Sequence, residues 1–149
     1  MTVRVEGTAE VQRNLTSLSG KYGQAIADAA FAGGQLVRST AIRLIQSTSD
    51  GGQVTRSRLG GGQYDHTTSA EGEAPNTDTG RLVSSIQVDV TPNEVFVGST
   101  LEYAGFLEFG TTRMAERPWL NPALESNRRN IERLFQTGVN RVSNRDGEV

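Results

Sequence analysis

Val3 and Val5 alternate with Thr2, Arg4 and Glu6, and Gly7 ends the run, which predicts a short strand over Met1–Glu6. Thr8 then reads as the cap of a first helix in which Val11, Leu15 and Leu18 keep helical spacing, with Ser19-Gly20 expected to break it. A longer helix is predicted from about Lys21 to Gln46. Its stripe of Tyr22, Ile26, Ala29, Ala30, Gly33, Val37, Ala41 and Leu44 matches one face at the helical period. Phe31, Leu36, Ile42 and Ile45 fall off that stripe, so the helix wants more than one partner. Gly33-Gly34 in its middle costs about 1 kcal/mol per glycine relative to alanine. The pair reads either as a weak point or kink, or as a close crossing with another backbone.

The pattern is lost between residues 47 and 77. Ser47-Thr48-Ser49-Asp50-Gly51-Gly52 and Gly60-Gly61-Gly62 stand among polar residues, which predicts a flexible loop. Order returns at Asp78, a candidate cap for a short helical turn through Ser84. Ile86, Val88 and Val90 alternate with Gln87 and Asp89, Thr91-Pro92-Asn93 turns the chain, and Val95-Phe96-Val97 returns as the second strand of a β-hairpin. Leu101, Ala104 and Leu107, with Tyr103 and Phe106 beside them, form a short helix that Gly110 stops. Arg117-Pro118-Trp119-Leu120 is an extended connector. Asn121 is expected to cap the last helix and Pro122 to occupy its first turn, with an apolar face of Leu124, Ile131, Leu134, Phe135, Gly138 and Val142. Residues 143–149 read as a polar tail. The order is strand, two helices, loop, hairpin, short helix, long helix: a single α+β domain over residues 1–149, its helices packed on a small antiparallel sheet.

Composition, charge and the absence of long apolar runs adjust this picture. Only 35% of the 149 residues are hydrophobic, a lean core that suggests either loose segments or stability gained from neighbours. The chain has no cysteine, so disulfides, thiolate catalysis and cysteine-based zinc sites are excluded. The N-terminus has no apolar signal core and no run is long enough to cross a membrane, so manufacture in the cytosol is expected. A net charge of −2 gives no general pull toward nucleic acid, and Arg56 and Arg58 read as solvated loop residues.

Candidate catalytic groups are few. Asp78-Thr79-Gly80 is the aspartic-protease triplet, but that chemistry needs two aspartates at the ends of buried strands, and no apolar strand precedes this one. His66, the single histidine, has Asp65, Glu71 and Glu73 nearby, yet all four lie in the glycine-rich loop without a rigid frame to orient ligands. The glycine runs match no phosphate-binding fingerprint, and Asn14-Leu15-Thr16 is a glycosylation triplet inside a predicted helix. The expectation is therefore no catalytic residue, no metal and no cofactor, with a hydrolase built on Asp78 or His66 as a remote alternative.

The most informative stretch runs from Thr79 to Leu124. It holds Thr79-Gly80-Arg81-Leu82, Val97-Gly98-Ser99, Tyr103-Ala104, Glu108-Phe109-Gly110-Thr111 and Arg117-Pro118-Trp119-Leu120. Glu108 stands among apolar neighbours and should be paired, with Arg113 or Arg117 the candidates. In these motifs the chain resembles the head–tail connector, neck or tail-completion proteins of tailed phages, with Trp119 where phenylalanine is more usual. The resemblance implies a non-enzymatic virion protein at the head–tail junction. Its partners would be further copies of itself in a ring, a hexamer being the natural match to a six-fold tail, and the adjoining head-closure, tail-terminator or tail-tube proteins. DNA would pass through the lumen without specific binding, and no membrane is involved. The expected subunit interface is Tyr103, Phe106, Glu108, Phe109, Thr111, Arg113, Arg117, Pro118 and Trp119, with Trp119 as its buried anchor. A tail terminator or other minor tail protein capping the tail tube is the alternative within the same class.

Overall fold

A computed structural model describes residues 8–47, 54–59, 62–91 and 94–146. The strand expected over Met1–Glu6 lies outside them. The elements are α1 (Thr8–Gln46), β1 (Val54–Leu59), β2 (Gly62–Thr67), α2 (Arg81–Ser85), β3 (Ile86–Val90), β4 (Val95–Ser99), α3 (Tyr103–Phe109) and α4 (Leu120–Asp146). The architecture is α+β, as the pattern of periodicities predicts.

One helix stands where two were expected. α1 runs unbroken through Ser19-Gly20 for 39 residues. Two glycines near its start cost about 1 kcal/mol each, too little to end a helix whose later turns are held by packing. Gly20 and Gly23 have open space around them, and Val11 and Leu15 are exposed.

α1 is the central element, with α4 on one side and the β3–β4 hairpin on another. A Cβ on Gly33 would meet Ile131 Cγ1 of α4 at 3.3 Å, and one on Gly138 would meet the Ala25 carbonyl oxygen at 3.2 Å. Asn127 Nδ2 donates to Thr40 Oγ1 at 2.9 Å. The pairs 25 with 138, 33 with 131 and 40 with 127 run in opposite directions, so α1 and α4 are antiparallel. On the hairpin side, a Cβ on Gly34 would lie 2.6 Å from Val88 Cγ1 and 3.0 Å from Val95 Cγ1. The glycine pair is thus a double close approach, and not a kink. It lets two different partners reach the helix backbone at adjacent positions.

β3 and β4 pair antiparallel with Val88 opposite Val97 and Val90 opposite Val95. Arg38 Nε donates to the Ile86 carbonyl at 2.9 Å, tying the hairpin to α1. The core gathers Val37, Ala41 and Ile45 of α1 with Leu82, Ile86, Ala104, Trp119 and Ala123. Ile45, off the stripe in the sequence pattern, is buried because the chain around Thr77 covers that face: Thr77 Oγ1 donates to the Ile45 carbonyl at 3.0 Å.

The polar segment 47–77 holds secondary structure that its composition does not announce. β1 and β2 form a second antiparallel hairpin, with Arg56 opposite Asp65 and Ser57 opposite Tyr64. Residues 54–59 and 62–67 are mostly polar and carry no apolar alternation of the kind that marks a strand in sequence. The return from β2 is pinned by Asn76 Nδ2 to the Thr67 carbonyl (2.9 Å) and by the Gly72 amide to the Glu116 carbonyl (3.0 Å).

Two expected helix caps are corrected. α2 is entered through Gly80, its N-cap residue, in the left-handed conformation (φ 73°), so the cap position falls two residues after Asp78. α4 begins at Leu120, ahead of Asn121, and its first amides are taken by a carboxylate from elsewhere in the chain.

Candidate functional site

That carboxylate is Glu108. Gly110, at φ 70°, ends α3 and turns the chain sharply: a Cβ there would sit 2.9 Å from both the Glu116 amide nitrogen and the Met114 carbonyl oxygen. The segment 111–117 therefore folds back along α3 as a strap. It is closed by Thr111 N–H to the Met114 carbonyl (2.8 Å) and by Arg117 N–H to the Leu107 carbonyl (2.7 Å). The fold-back brings the start of α4 onto Glu108. Glu108 Oε2 accepts from the amides of Trp119 (2.8 Å) and Leu120 (2.9 Å), and Oε1 from that of Asn121 (2.8 Å). The next residue, Pro122, has no amide to satisfy. A buried carboxylate thus meets the unpaired donors and positive dipole end of α4 together. The expected pairing of Glu108 with Arg113 or Arg117 is overturned: Arg113 is exposed, and Arg117 Nε is buried without a hydrogen-bond partner.

This arrangement divides the expected interface residues into two groups. Glu108 (7% exposed) and Trp119 (2% exposed) belong to the chain's own core, where Trp119 Nε1 approaches the Ala104 carbonyl oxygen at 3.5 Å. Trp119 is an anchor within the subunit and is not available as one between subunits. Arg117, at the end of the strap, and Pro118, just after it, are half-buried. Tyr103, Phe106, Phe109, Thr111 and Arg113 are exposed. Phe106 and Phe109 are 58% and 82% exposed, while Ala104, Leu107 and Glu108 on the opposite side of α3 face inward. α3 is therefore apolar on both faces, and the fold satisfies one of them. Glu102, at the start of α3, shares the outer face with the two phenylalanines.

The remaining candidate chemistry converges at one place. His66 and Asp78, which the sequence offers as separate possibilities, approach to 3.9 Å between Nδ1 and Oδ1 in a pocket of about 260 Å³. Ser69 also lines this pocket, but its buried Oγ has no hydrogen-bond partner, so no nucleophile–base pair with His66 is assembled. Asp78-Thr79-Gly80 precedes the short helix α2 and does not stand at the end of a buried strand. Among the described residues no group of three or more His, Cys, Asp or Glu could hold a metal ion. No helix among them is long and apolar enough to cross a membrane.

Neither the curated proteins nor the solved structures offer a match to this chain. Among protein families, residues 9–110 match the one described as "Bacteriophage HK97-gp10, putative tail-component". The matched span takes in nearly all of α1, both hairpins, α2 and α3, and stops short of the Arg117-Pro118-Trp119-Leu120 run. It covers well over half of the sequence, and on that ground the chain belongs to the HK97-gp10-like family of phage tail components.

Proposed function

We propose that this protein is a structural subunit of the virion, one of several copies that form or complete the ring-shaped junction between phage head and tail, and that it catalyses nothing. The observation that carries the reading is the outer face of α3. A chain with a lean core seals Trp119 and Glu108 inside itself, yet leaves Phe106 and Phe109 facing solvent, beside a rigid strap. Exposed aromatics clustered on one rigid element mark a surface meant to be covered. In a ring, each subunit presents two different patches, one to each neighbour, and the α3 face supplies one. A hexamer suits a six-fold tail. With a net charge of −2 the subunit does not grip phosphate, which fits a channel that DNA traverses without being held.

The test is assembly in a phage whose gene for this chain is disrupted. Filled heads and separate tails of normal length are the expected products. Tails of uncontrolled length would favour the tail-terminator reading, and loss of tails altogether would favour a role at the tail tip. Unimpaired production of complete particles would remove the structural reading.

A further inference from the structure

Two surfaces at opposite ends of the α1–α4 pair are complementary in charge, and each carries apolar area. The first is the outer face of α3. Glu102, Phe106 and Phe109 stand at i, i+4 and i+7 and so line one side of the helix. Acidic groups rim the C-terminal end of this face. Glu116 lies on the fold-back strap, and Glu71 and Glu73 flank Gly72, whose amide is bonded to the Glu116 carbonyl at 3.0 Å. Arg113 is the exposed basic side chain of the strap.

The second surface is a groove of about 720 Å³ between α1 and α4. Ala25, Ala29, Leu134 and Val142 give it an apolar floor, and Lys21, Arg141 and Arg145 a basic rim, with Asp28 as its acidic member. The hollow follows from the sequence, since α1 carries small side chains here and Gly138 lets the two backbones come close. Basic character persists along α4, which has five arginines and one acidic residue between Arg128 and Arg145.

α3 packs where α1 ends and α4 begins, against Trp119 and close to Ile45. The groove lies around Ala29, some 16 residues earlier on α1, which is about 24 Å along a helix at its rise per residue. The aromatic face and the groove of one molecule therefore cannot meet each other. An acidic, aromatic knob and a basic, apolar-floored groove in the same chain, at opposite ends, are the elements of a head-to-tail contact between identical subunits. Arginines at the groove rim would also lie well for contact with phenylalanine ring faces.

We propose that Phe106 and Phe109 of one copy seat in the α1–α4 groove of the next copy, the acidic rim of the one facing the basic rim of the other. The inference rests on the proposed ring and names the two surfaces that close it.

Mixing of two crippled variants tests it. One carries Phe106→Ser with Phe109→Ser, the other Arg141→Glu with Arg145→Glu. All four positions are exposed, so both variants keep the wild-type circular dichroism spectrum. By sedimentation velocity the wild-type chain associates, and each variant alone associates at least tenfold more weakly. An equimolar mixture of the variants then forms a heterodimer that grows no further, because one intact knob meets one intact groove. Wild-type-like association of either variant, or no heterodimer in the mixture, overturns the inference and leaves the ring reading standing on other surfaces. A wild-type chain that stays monomeric also overturns it, and absence of that chain from purified particles would remove the ring reading as well.

Discussion

Glu108→Ala isolates the device that fixes the strap and α4 relative to α3. The substitution removes acceptors for three amides, at 2.8, 2.9 and 2.8 Å, and leaves the Trp119 N–H buried. Hydrogen bonds to a charged group contribute about 1.5–3 kcal/mol each, and the helix dipole adds up to about 2 kcal/mol in partly buried geometry. Desolvation of the carboxylate offsets several kcal/mol of that. The net loss is about 3–5 kcal/mol, out of a total of about 5–15 kcal/mol for a typical domain. Glu108→Gln keeps the shape and one carbonyl oxygen but turns an NH₂ toward at least one backbone donor, so it should lose about 2 kcal/mol. Urea unfolding followed by tryptophan fluorescence reads both, since Trp119 is the single tryptophan and sits at the affected joint. A chain of this size should melt about 10 °C lower with alanine at 108, at roughly 2–4 °C per kcal/mol. A loss below about 1 kcal/mol for Glu108→Ala would refute the capping argument, because a buried cap with three partners cannot be that weak.

Glycine-to-alanine changes along α1 should differ in sign. Gly23→Ala meets open space and should stabilise by about 0.5–1 kcal/mol, whereas Gly34→Ala drives a Cβ to 2.6 Å from Val88 and should destabilise by about 1–2 kcal/mol after the helix-propensity gain; paired thermal melts check both. Trp119→Ala empties a core site and should cost about 3–5 kcal/mol in urea unfolding, so any loss of assembly in that variant reports folding. Asn127→Ala removes the bond to Thr40 Oγ1 that links α4 to α1, and the bond to the Ala123 carbonyl within α4, and should cost about 1–3 kcal/mol by the same measurement. Phe109→Ser, at a site 82% exposed, should leave the melting temperature unchanged while lowering the yield of joined particles.

Periodicity along the chain was enough to determine the α+β class, the β3–β4 hairpin, α3 and the start of α4 to within a residue or two, whereas α4 runs on to Asp146, past the Ser143 at which a polar tail was expected. It also isolated the stretch from Thr79 onward that bears the family resemblance. Those features depend on neighbours close in sequence, where spacing and turn residues act directly. The continuity of α1, the β1–β2 hairpin, the partner of Glu108 and the burial of Trp119 were decided by tertiary structure. Each depends on what packs there from a distant part of the chain. Ser19-Gly20 looks like a stop because local propensity is all that a sequence window contains, and β1 and β2 are invisible because residues 54–59 and 62–67 carry no apolar alternation. Glu108 reads as an ion-pair partner because a carboxylate among apolar residues needs donors; that the donors are backbone amides of a helix beginning at Leu120 follows from the turn at Gly110. The same turn puts Trp119 inside and Phe109 outside, since α3 has two apolar faces and the fold has room to bury one.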